Sequence, residues 1–358
     1  MVETSFWQNK KVFITGHTGF KGTWLSLMLT HLGAEVTGYS LDPLTKPSMY
    51  DAVDLFGVTD SVIGDIRDEK NLTAALENSG AEVVFHLAAQ SLVRESYVNP
   101  VETYSTNVMG TVHLLEAVRK AYNVKAAIMV TSDKCYAANE SLIPHIETDA
   151  MGGHDPYSSS KGAMELVCAS YANSFFCEKG SANIATARAG NVIGGGDWSK
   201  DRLVPDILAS YADKQKVSIR NPNAVRPWQF VLDPLYGYLE LAEYMYGQEL
   251  TGFGEGWNFG PDSSNVCAVK DIVSIFKELS DNEIDFSVNT DPQPYENPLL
   301  NLNSCKAKER LAWKPSLKIE DALAWTYNWH IAFEEKERDM RSYTLQQIED
   351  YLNLAEST

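Results

Sequence analysis

Ser132-Asp133-Lys134 stands shortly before Tyr157 and Lys161, so a hydroxyl, a carboxyl and an amine accompany a tyrosine suited to carbonyl chemistry. These residue types together point to oxidation followed by elimination. Tyr157 and Lys161 lie four residues apart in DPYSSSKGAMELVCASYANSFF, which reads as a helix with Asp155 as N-cap and Pro156 at its first position. Both side chains then share one helical face. A free tyrosine ionises near pH 10, roughly three units too high for a base at neutral pH, but an ammonium one turn away and a cationic nicotinamide would stabilise the phenolate. Such a phenolate can take a hydroxyl proton while hydride leaves carbon. An isolated Tyr-x-x-x-Lys pair is more often solvated surface, so the surrounding elements carry the weight.

The first of these elements is KKVFITGHTGFKGTWLSLMLTHLG. A short apolar strand at 12–15 runs into Gly16, Gly19 and Gly22, then into an apolar-periodic helix ending at Gly33. The G-x-x-G-x-x-G spacing lets backbone amides approach a pyrophosphate seated on the positive end of the helix dipole. Residues Gly16, His17, Thr18, Gly19, Phe20 and Gly22 are therefore the expected phosphate loop. Asp42, twenty residues past Gly22 and just after a second strand at 35–40, could accept hydrogen bonds from a ribose 2′-hydroxyl. Residues 39–44 hold no Arg or Lys for a 2′-phosphate, which favours NAD over NADP. Asp65, beside Ile66 in SVIGDIRD, is placed to meet the adenine edge, although an Asp opening a loop is equally often a helix cap.

The chain of 358 residues, 44% of them hydrophobic, is long enough for one large or two medium domains. Strand-like runs at 12–15, 35–40, 61–63, 82–87, 125–131 and 183–187 alternate with helical segments. This is the pattern of an α/β fold with a doubly wound parallel sheet. VNPVETYSTNVMGTVHLLEAVRKAY, with Asn99 before Pro100, reads as one full helix. Its apolar stripe and the Tyr157 helix leave surface for a homodimer through segments 100–121 and 156–178, or for a higher oligomer. After residue 188 the pattern shifts to loops rich in Pro, Asn and Trp, with shorter helices near 203–213, 233–246 and 269–279. Residues 1–188 read as a dinucleotide-binding domain and 189–358 as a smaller, mainly substrate-binding part, some of whose segments can return to the main sheet.

Composition excludes other classes. A net charge of −18 argues against nucleic acid. No apolar run approaches the roughly 20 residues that span a bilayer, and the opening MVETSFWQNKK lacks a signal peptide's apolar region. Cys135, Cys168, Cys177, Cys267 and Cys305 form no C-x-x-C pair, which suits a reducing cytoplasm and supports no metal site.

Several blocks now combine in order: TGHTGFKG at 15–22, HLAAQ at 86–90, TNVMGT at 106–111, TSDKCY at 131–136, YSSSK at 157–161, ARAGNVIGGGDW at 187–198 and RPWQFVLD at 226–233. In these the sequence resembles the extended short-chain dehydrogenase/reductase family, specifically its nucleotide-sugar 4,6-dehydratases, over nearly the whole chain. The resemblance implies that Ser132, Tyr157 and Lys161 form the oxidoreductase triad. It also implies that Leu87, Ala88, Ala89 and Asn107 lie along the NAD path, although Asn107 could equally bridge a helix kink. Gln90, Ser91, Arg188, Asn191, Arg202, Arg220, Arg226 and Tyr295 become candidate contacts to a nucleotide sugar, the arginines because they suit bidentate diphosphate binding. Trp198 and Trp228 are expected to pack a lid.

Relatives in the family separate by the residues just after the serine, because C4 oxidation is common to epimerases and dehydratases, whereas loss of water needs a further proton donor and acceptor. Asp133 and Lys134 fill those positions, and a lysine there resembles the branch acting on CDP-glucose. Lys134 acts as a base only when neutral; alternatively it stabilises an enolate while another group takes the proton. His17 departs from the small residue usual between the first two glycines, so its ring is expected to crowd the cofactor phosphates and weaken NAD retention, with His17→Gly tightening it. A 4-epimerase would need no Asp133-Lys134 pair. A silent NAD-sensing regulator would be expected to lose Tyr157 or Lys161.

Overall fold

The computed structural model describes residues 2–137, 143–219, 221–248, 254–262, 265–289, 301–336 and 338–357. Among them, strands β1 (Lys11–Thr15), β2 (Glu35–Ser40), β3 (Asp60–Ile63), β4 (Val83–His86), β5 (Ala126–Val130), β6 (Asn183–Arg188) and β7 (Gly256–Asn258) form a seven-stranded sheet. Its order is β7-β6-β5-β4-β1-β2-β3, and every pairing is parallel. The doubly wound α/β expectation is met. β4, β5 and β6 are buried at every position, as strands covered by helices on both faces must be, and the apolar runs at 83–85 and 126–130 made β4 and β5 readable. β7 spans three residues, too few to announce itself, and returns from the later half of the chain to pair with β6.

One face of the sheet is packed by helices α1 (Phe20–His31), α5 (Leu232–Tyr246) and the carboxyl-terminal helices Ile319–Glu335 and Met340–Ser357. Trp24, Phe85, Phe230, Trp257, Trp313 and Trp329 join a single apolar cluster there. The other face is covered by α2 (Glu69–Ser79), α3 (Gly110–Lys120) and α4 (Pro156–Phe175), through Leu72, Leu114, Leu115, Cys168 and Ala172. Each large apolar side chain so buried contributes about 1.5–3 kcal/mol, and together they fix the two carboxyl-terminal strand ends that matter. Thr15 at the end of β1 is level with His86 of β4 and with Tyr39 of β2. The chain winds outward in both directions from β1, and ligands of open α/β sheets sit at such a switch point.

Segment 100–121 departs from the single α-helix read in the sequence. Pro100–Tyr104 is α-helical, Ser105–Met109 is a π turn, and α3 begins at Gly110. The cause is tertiary. Asn107, fully buried, accepts a hydrogen bond from the Gln90 amide at 2.8 Å and donates to the Gln90 carbonyl at 3.0 Å and to Ser160 Oγ at 2.8 Å. A widened turn aims that amide inward, a frequent use of a π turn near a functional site.

Candidate active site

The loop after β1 is built for close approach. Gly16 has φ +78°, and a Cβ there would lie 2.6 Å from the Ala88 amide nitrogen. A Cβ on Gly22 would overlap the Gly16 carbonyl oxygen. Only glycine allows the loop, the end of β4 and the start of α1 to meet this closely. Gly19 is the N-cap of α1 and supplies no side-chain acceptor, so the first amides of the helix remain available to an anion. Thr15 Oγ1 and His86 Nδ1 are 2.7 Å apart, and His86 Nε2 lies 3.0 Å from Thr111 Oγ1, which locks β1, β4 and α3 behind the loop. The loop thus fits a dinucleotide pyrophosphate.

Several expected loop contacts prove to be internal. Thr18 donates to the Leu41 carbonyl at 2.8 Å, tying the loop to the end of β2. The His17 ring is wholly buried behind the loop, 2.6 Å from Ser61 Oγ through Nε2, edge-on to Tyr50 and in contact with Gly38. It does not enter the phosphate mouth, which corrects the expectation of crowding; β2 offers a glycine on which the ring can lie. Asn107 is likewise corrected from a cofactor contact to a residue that fixes the Gln90 peptide. The Gln90 side chain itself bonds the backbone of Leu92 and Thr103 Oγ1, so it braces its own loop instead of facing a sugar. Asp65 does not cap α2, a role taken by Asp68; its carboxylate is forked by Arg67 at 2.6 Å. Ile66 packs on Gly110, Phe20 approaches Gly194, and Asp42 and Ser91 are exposed.

The acid–base residues converge at the carboxyl end of β5. Ser132 caps the short turn Asp133–Cys135 by accepting the Lys134 amide at 3.2 Å, and its hydroxyl donates to Asp133 Oδ1 at 2.9 Å. Asp133 is 3% exposed and its carboxylate presses against Gly190, a space that a Cβ would fill. Asp155 caps α4 by accepting the Ser158 amide, so Tyr157 and Lys161 face the turn. Burial pushes the Tyr157 phenol up to about 12, opposed by a hydrogen bond with Ser132 and reinforced by the charge of Asp133. Burial lowers the Lys161 ammonium to about 8 while Glu165 opposes the fall, and its Nζ donates to the Val130 carbonyl at 3.3 Å. The Ser132 hydroxyl, the Asp133 carboxylate, the Tyr157 phenol and the Lys161 amine thus gather at the end of β5, with Lys134 in the same short turn.

The arginines behave differently from one another. Arg188, expected over the substrate diphosphate, ends β6 at 3% exposure. Its guanidinium donates to Glu165 at 2.9 and 2.6 Å, to Tyr136 Oη at 2.6 Å and to the Glu147 carbonyl at 3.0 Å. It is therefore a buried tie between β6, α4 and the 132–136 segment, and the substrate role is withdrawn. Glu165, which the sequence reading missed, is the centre of that tie and also accepts from Thr131 and Thr186. Its position one turn past Lys161 was the available signal. Arg202 pairs with Asp197 at 3.2 Å and its charge reaches Tyr157. Arg226 lies in strand Val225–Pro227 and donates to the Val225 carbonyl. Asn191 holds a left-handed φ of 47° beside Gly190. Trp198 packs on Trp329 and Phe333, and Trp228 is buried. Arg220 and Tyr295 lie outside the described residues.

Comparison with known proteins agrees with this geometry. A CDP-glucose 4,6-dehydratase of Salmonella typhimurium is 48% identical over 357 residues, covering 99% of each chain. A UDP-glucose 4-epimerase of Halalkalibacterium halodurans is 27% identical, covering 89% of this chain and 95% of its own. Among solved structures, epimerase Mth375 of Methanothermobacter thermautotrophicus superposes with a TM-score of 0.81 at 24% identity, covering 95% of this chain and 96% of that one. A dTDP-glucose 4,6-dehydratase of Bacillus anthracis in complex with NAD gives 0.74 at 20% identity, covering 94% and 99%. These two likenesses show the fold. The family model described as GDP-mannose 4,6 dehydratase matches residues 13–326, and the chain belongs to that family.

Proposed function

We propose that the protein converts CDP-D-glucose to CDP-4-keto-6-deoxy-D-glucose and water, using NAD that is regenerated in every turnover. Residues 1–188 hold the dinucleotide, and residues 189–358 mainly cover the nucleotide sugar. NAD supplies the hydride acceptor for C4 and the hydride donor for C6. Tyr157 removes the 4-hydroxyl proton, with Ser132 hydrogen-bonded to that oxygen and Lys161 contributing positive charge. A phenol held near 12 by burial needs such added charge before it can act as a base at neutral pH. The resulting 4-ketone acidifies the C5 proton, which Lys134 takes while protonated Asp133 gives a proton to the departing C6 hydroxyl. Arg202 faces the anionic part of the substrate.

The observation that carries this reading is the single turn 132–135, which sets Ser132, Asp133 and Lys134 side by side at the end of β5 opposite Tyr157. A 4-epimerase has work for the serine and the tyrosine but none for the added acid and amine. The CDP-linked substrate is supported by the Salmonella relative. Incubation with NAD and CDP-, dTDP-, UDP- and GDP-hexoses, scored for 4-keto-6-deoxy sugar, tests it: product from CDP-glucose is expected. A 4-epimer without loss of water would instead make the protein an epimerase, and NAD-dependent partner binding without any ketosugar would make it a regulator.

The same reading pairs two chains through segments 100–121 and 156–178. Val101, Met109, Leu166 and Phe175 are exposed apolar residues on those segments, and a partner would cover them. Among the described residues no helix is long and apolar enough to cross a membrane. The five cysteines are all free, which supports a cytoplasmic setting.

A further inference from the structure

Glu165 touches no reacting group, yet its carboxylate ties together the elements that carry the two halves of the chemistry. Its Oε1 accepts from the Thr131 hydroxyl and from Arg188 Nε at 2.9 Å, and its Oε2 accepts from the Thr186 hydroxyl and from Arg188 Nη2, each at 2.6 Å. All four side chains are buried, where charge-assisted bonds hold their geometry most strongly. Thr131 immediately precedes Ser132-Asp133-Lys134, and the residue before it, Val130, accepts from Lys161 Nζ at 3.3 Å. Consecutive turns of α4 thus grip consecutive residues at the root of the turn: Lys161 holds Val130, and Glu165 holds Thr131. On the other side, Arg188 ends β6 two residues before Gly190, which lies so close to the Asp133 carboxylate that a Cβ would overlap it. The Gly190 carbonyl is fixed in turn by Gln229 Nε2 at 3.0 Å. One carboxylate therefore anchors the strand end that carries Asp133, the strand end that walls it in, and the helix that carries Tyr157. An ion pair serving the fold alone would be complete with Arg188 and Thr186; the added bond to Thr131 reaches the residue from which the turn departs.

We infer that Glu165 is a positioning residue that couples oxidation to elimination: through Thr131 and Arg188 it sets Asp133 against the Tyr157 face of α4, so that a sugar oxidised at C4 is at once within reach of the acid. This rests on the dehydratase reading above. Oxidation needs Tyr157, Lys161 and the hydride acceptor, which α4 and the glycine loop position. Elimination needs Asp133 and Lys134 as well. Loosening the Thr131 anchor shifts the turn while α4 stays in place, so hydride still leaves C4 but loss of water slows. Reduced dinucleotide and the 4-ketone then accumulate together, with the 4-hydroxyl proton on Tyr157, and the C6 hydroxyl stays on the sugar until Asp133 delivers its proton. Misplacing a reacting group by roughly 1 Å costs about 100-fold, and the smaller shift that follows loss of one bond at Glu165 should cost about tenfold.

Thr131→Val and Thr186→Val form a matched pair, because each removes one hydroxyl from one oxygen of Glu165 and only the first touches the turn. The enzyme loaded with NAD is mixed with CDP-glucose in a single turnover, the rise and decay of reduced nicotinamide are followed by absorbance, and 4-keto-6-deoxy product is measured in quenched samples. In Thr131→Val the rise should stay within about twofold of the wild type, while the decay and the appearance of product slow about tenfold. Thr186→Val should leave both phases within about twofold, and Thr131→Ser, which restores the hydroxyl, should recover the wild-type decay. Thr131→Ala must reproduce the valine result, which separates loss of the hydroxyl from a misfolded variant. A rise slowed as much as the decay, an unchanged decay, an equal effect in Thr186→Val, or a serine variant that behaves like valine overturns the inference while leaving the dehydratase reading intact. A wild type that forms no 4-keto-6-deoxy sugar from CDP-, dTDP-, UDP- or GDP-hexoses removes that reading, and this inference with it.

Discussion

The glycine loop and the arginines beyond β5 were both expected to grip phosphate, and the structure treats them in opposite ways. The loop works through backbone: Gly16 and Gly22 are in contact with backbone atoms where any side chain would collide, so the residue type itself carries the information. The arginines work through long side chains whose partners lie far away in sequence. Arg188 is consumed by Glu165 and Tyr136, whereas Arg202 reaches the catalytic cluster. Sites made by close backbone approach are therefore readable before folding, and sites made by flexible cations are not.

The contrast can be broken most sharply at Arg188. Replacing it by Met strands Glu165 without its partner at 5% exposure, and loss of one member of a buried ion pair destabilises by about 3–5 kcal/mol. A lowered melting temperature, with any surviving folded enzyme keeping its substrate KM, is the expected result; an unchanged melting temperature with raised KM would restore Arg188 to the substrate. The next effect concerns acid. Burial lowers His86 from 6.5 to about 3, with Lys161 adding to the fall. Its folded pKa is depressed, so the stability it contributes is full above 6.5 and is lost as pH falls toward about 3, where the unfolded chain takes a proton the folded chain refuses. Near pH 4 that loss is roughly 3 kcal/mol, and denaturant titrations of His86→Gln should show a flatter acid limb than the wild type.

Gly22→Ala forces the Gly16 carbonyl and α1 apart. A displacement of that order should weaken NAD binding about 100-fold, measured by titration, while the midpoint of chemical denaturation moves less. An alanine variant that binds NAD normally would show that the close approach is not needed. The smallest expected change is at Arg202, where Met should raise the KM for the nucleotide sugar about tenfold, the scale of one charge-assisted contact, with little effect on melting. Equal behaviour of the Arg188 and Arg202 variants would erase the distinction between them.

Much of the scaffold was legible. β4 and β5 are almost wholly apolar because helices cover both of their faces, and Asp155-Pro156 announces the start of α4. Ser132, Asp133, Lys134, Tyr157 and Lys161 were legible because their types and spacing already state a chemistry. What the sequence hid is tertiary. The π turn at 105–109 exists because Asn107 reaches Gln90 and Ser160. The His17 ring lies behind its loop because Gly38, on the neighbouring strand, leaves room for it. In each case the deciding partner lies at least seventeen residues away in the chain, beyond the reach of local periodicity.

The proposed chemistry needs one sugar ring held between the nicotinamide and the turn at 132–134. CDP-glucose carrying deuterium at C4 tests this most directly, with the product examined by NMR and mass spectrometry. Label found at C6 of the 4-keto-6-deoxy sugar is predicted, because the hydride leaves and returns within one closed site. Label washed into solvent, or retained at C4, would contradict it.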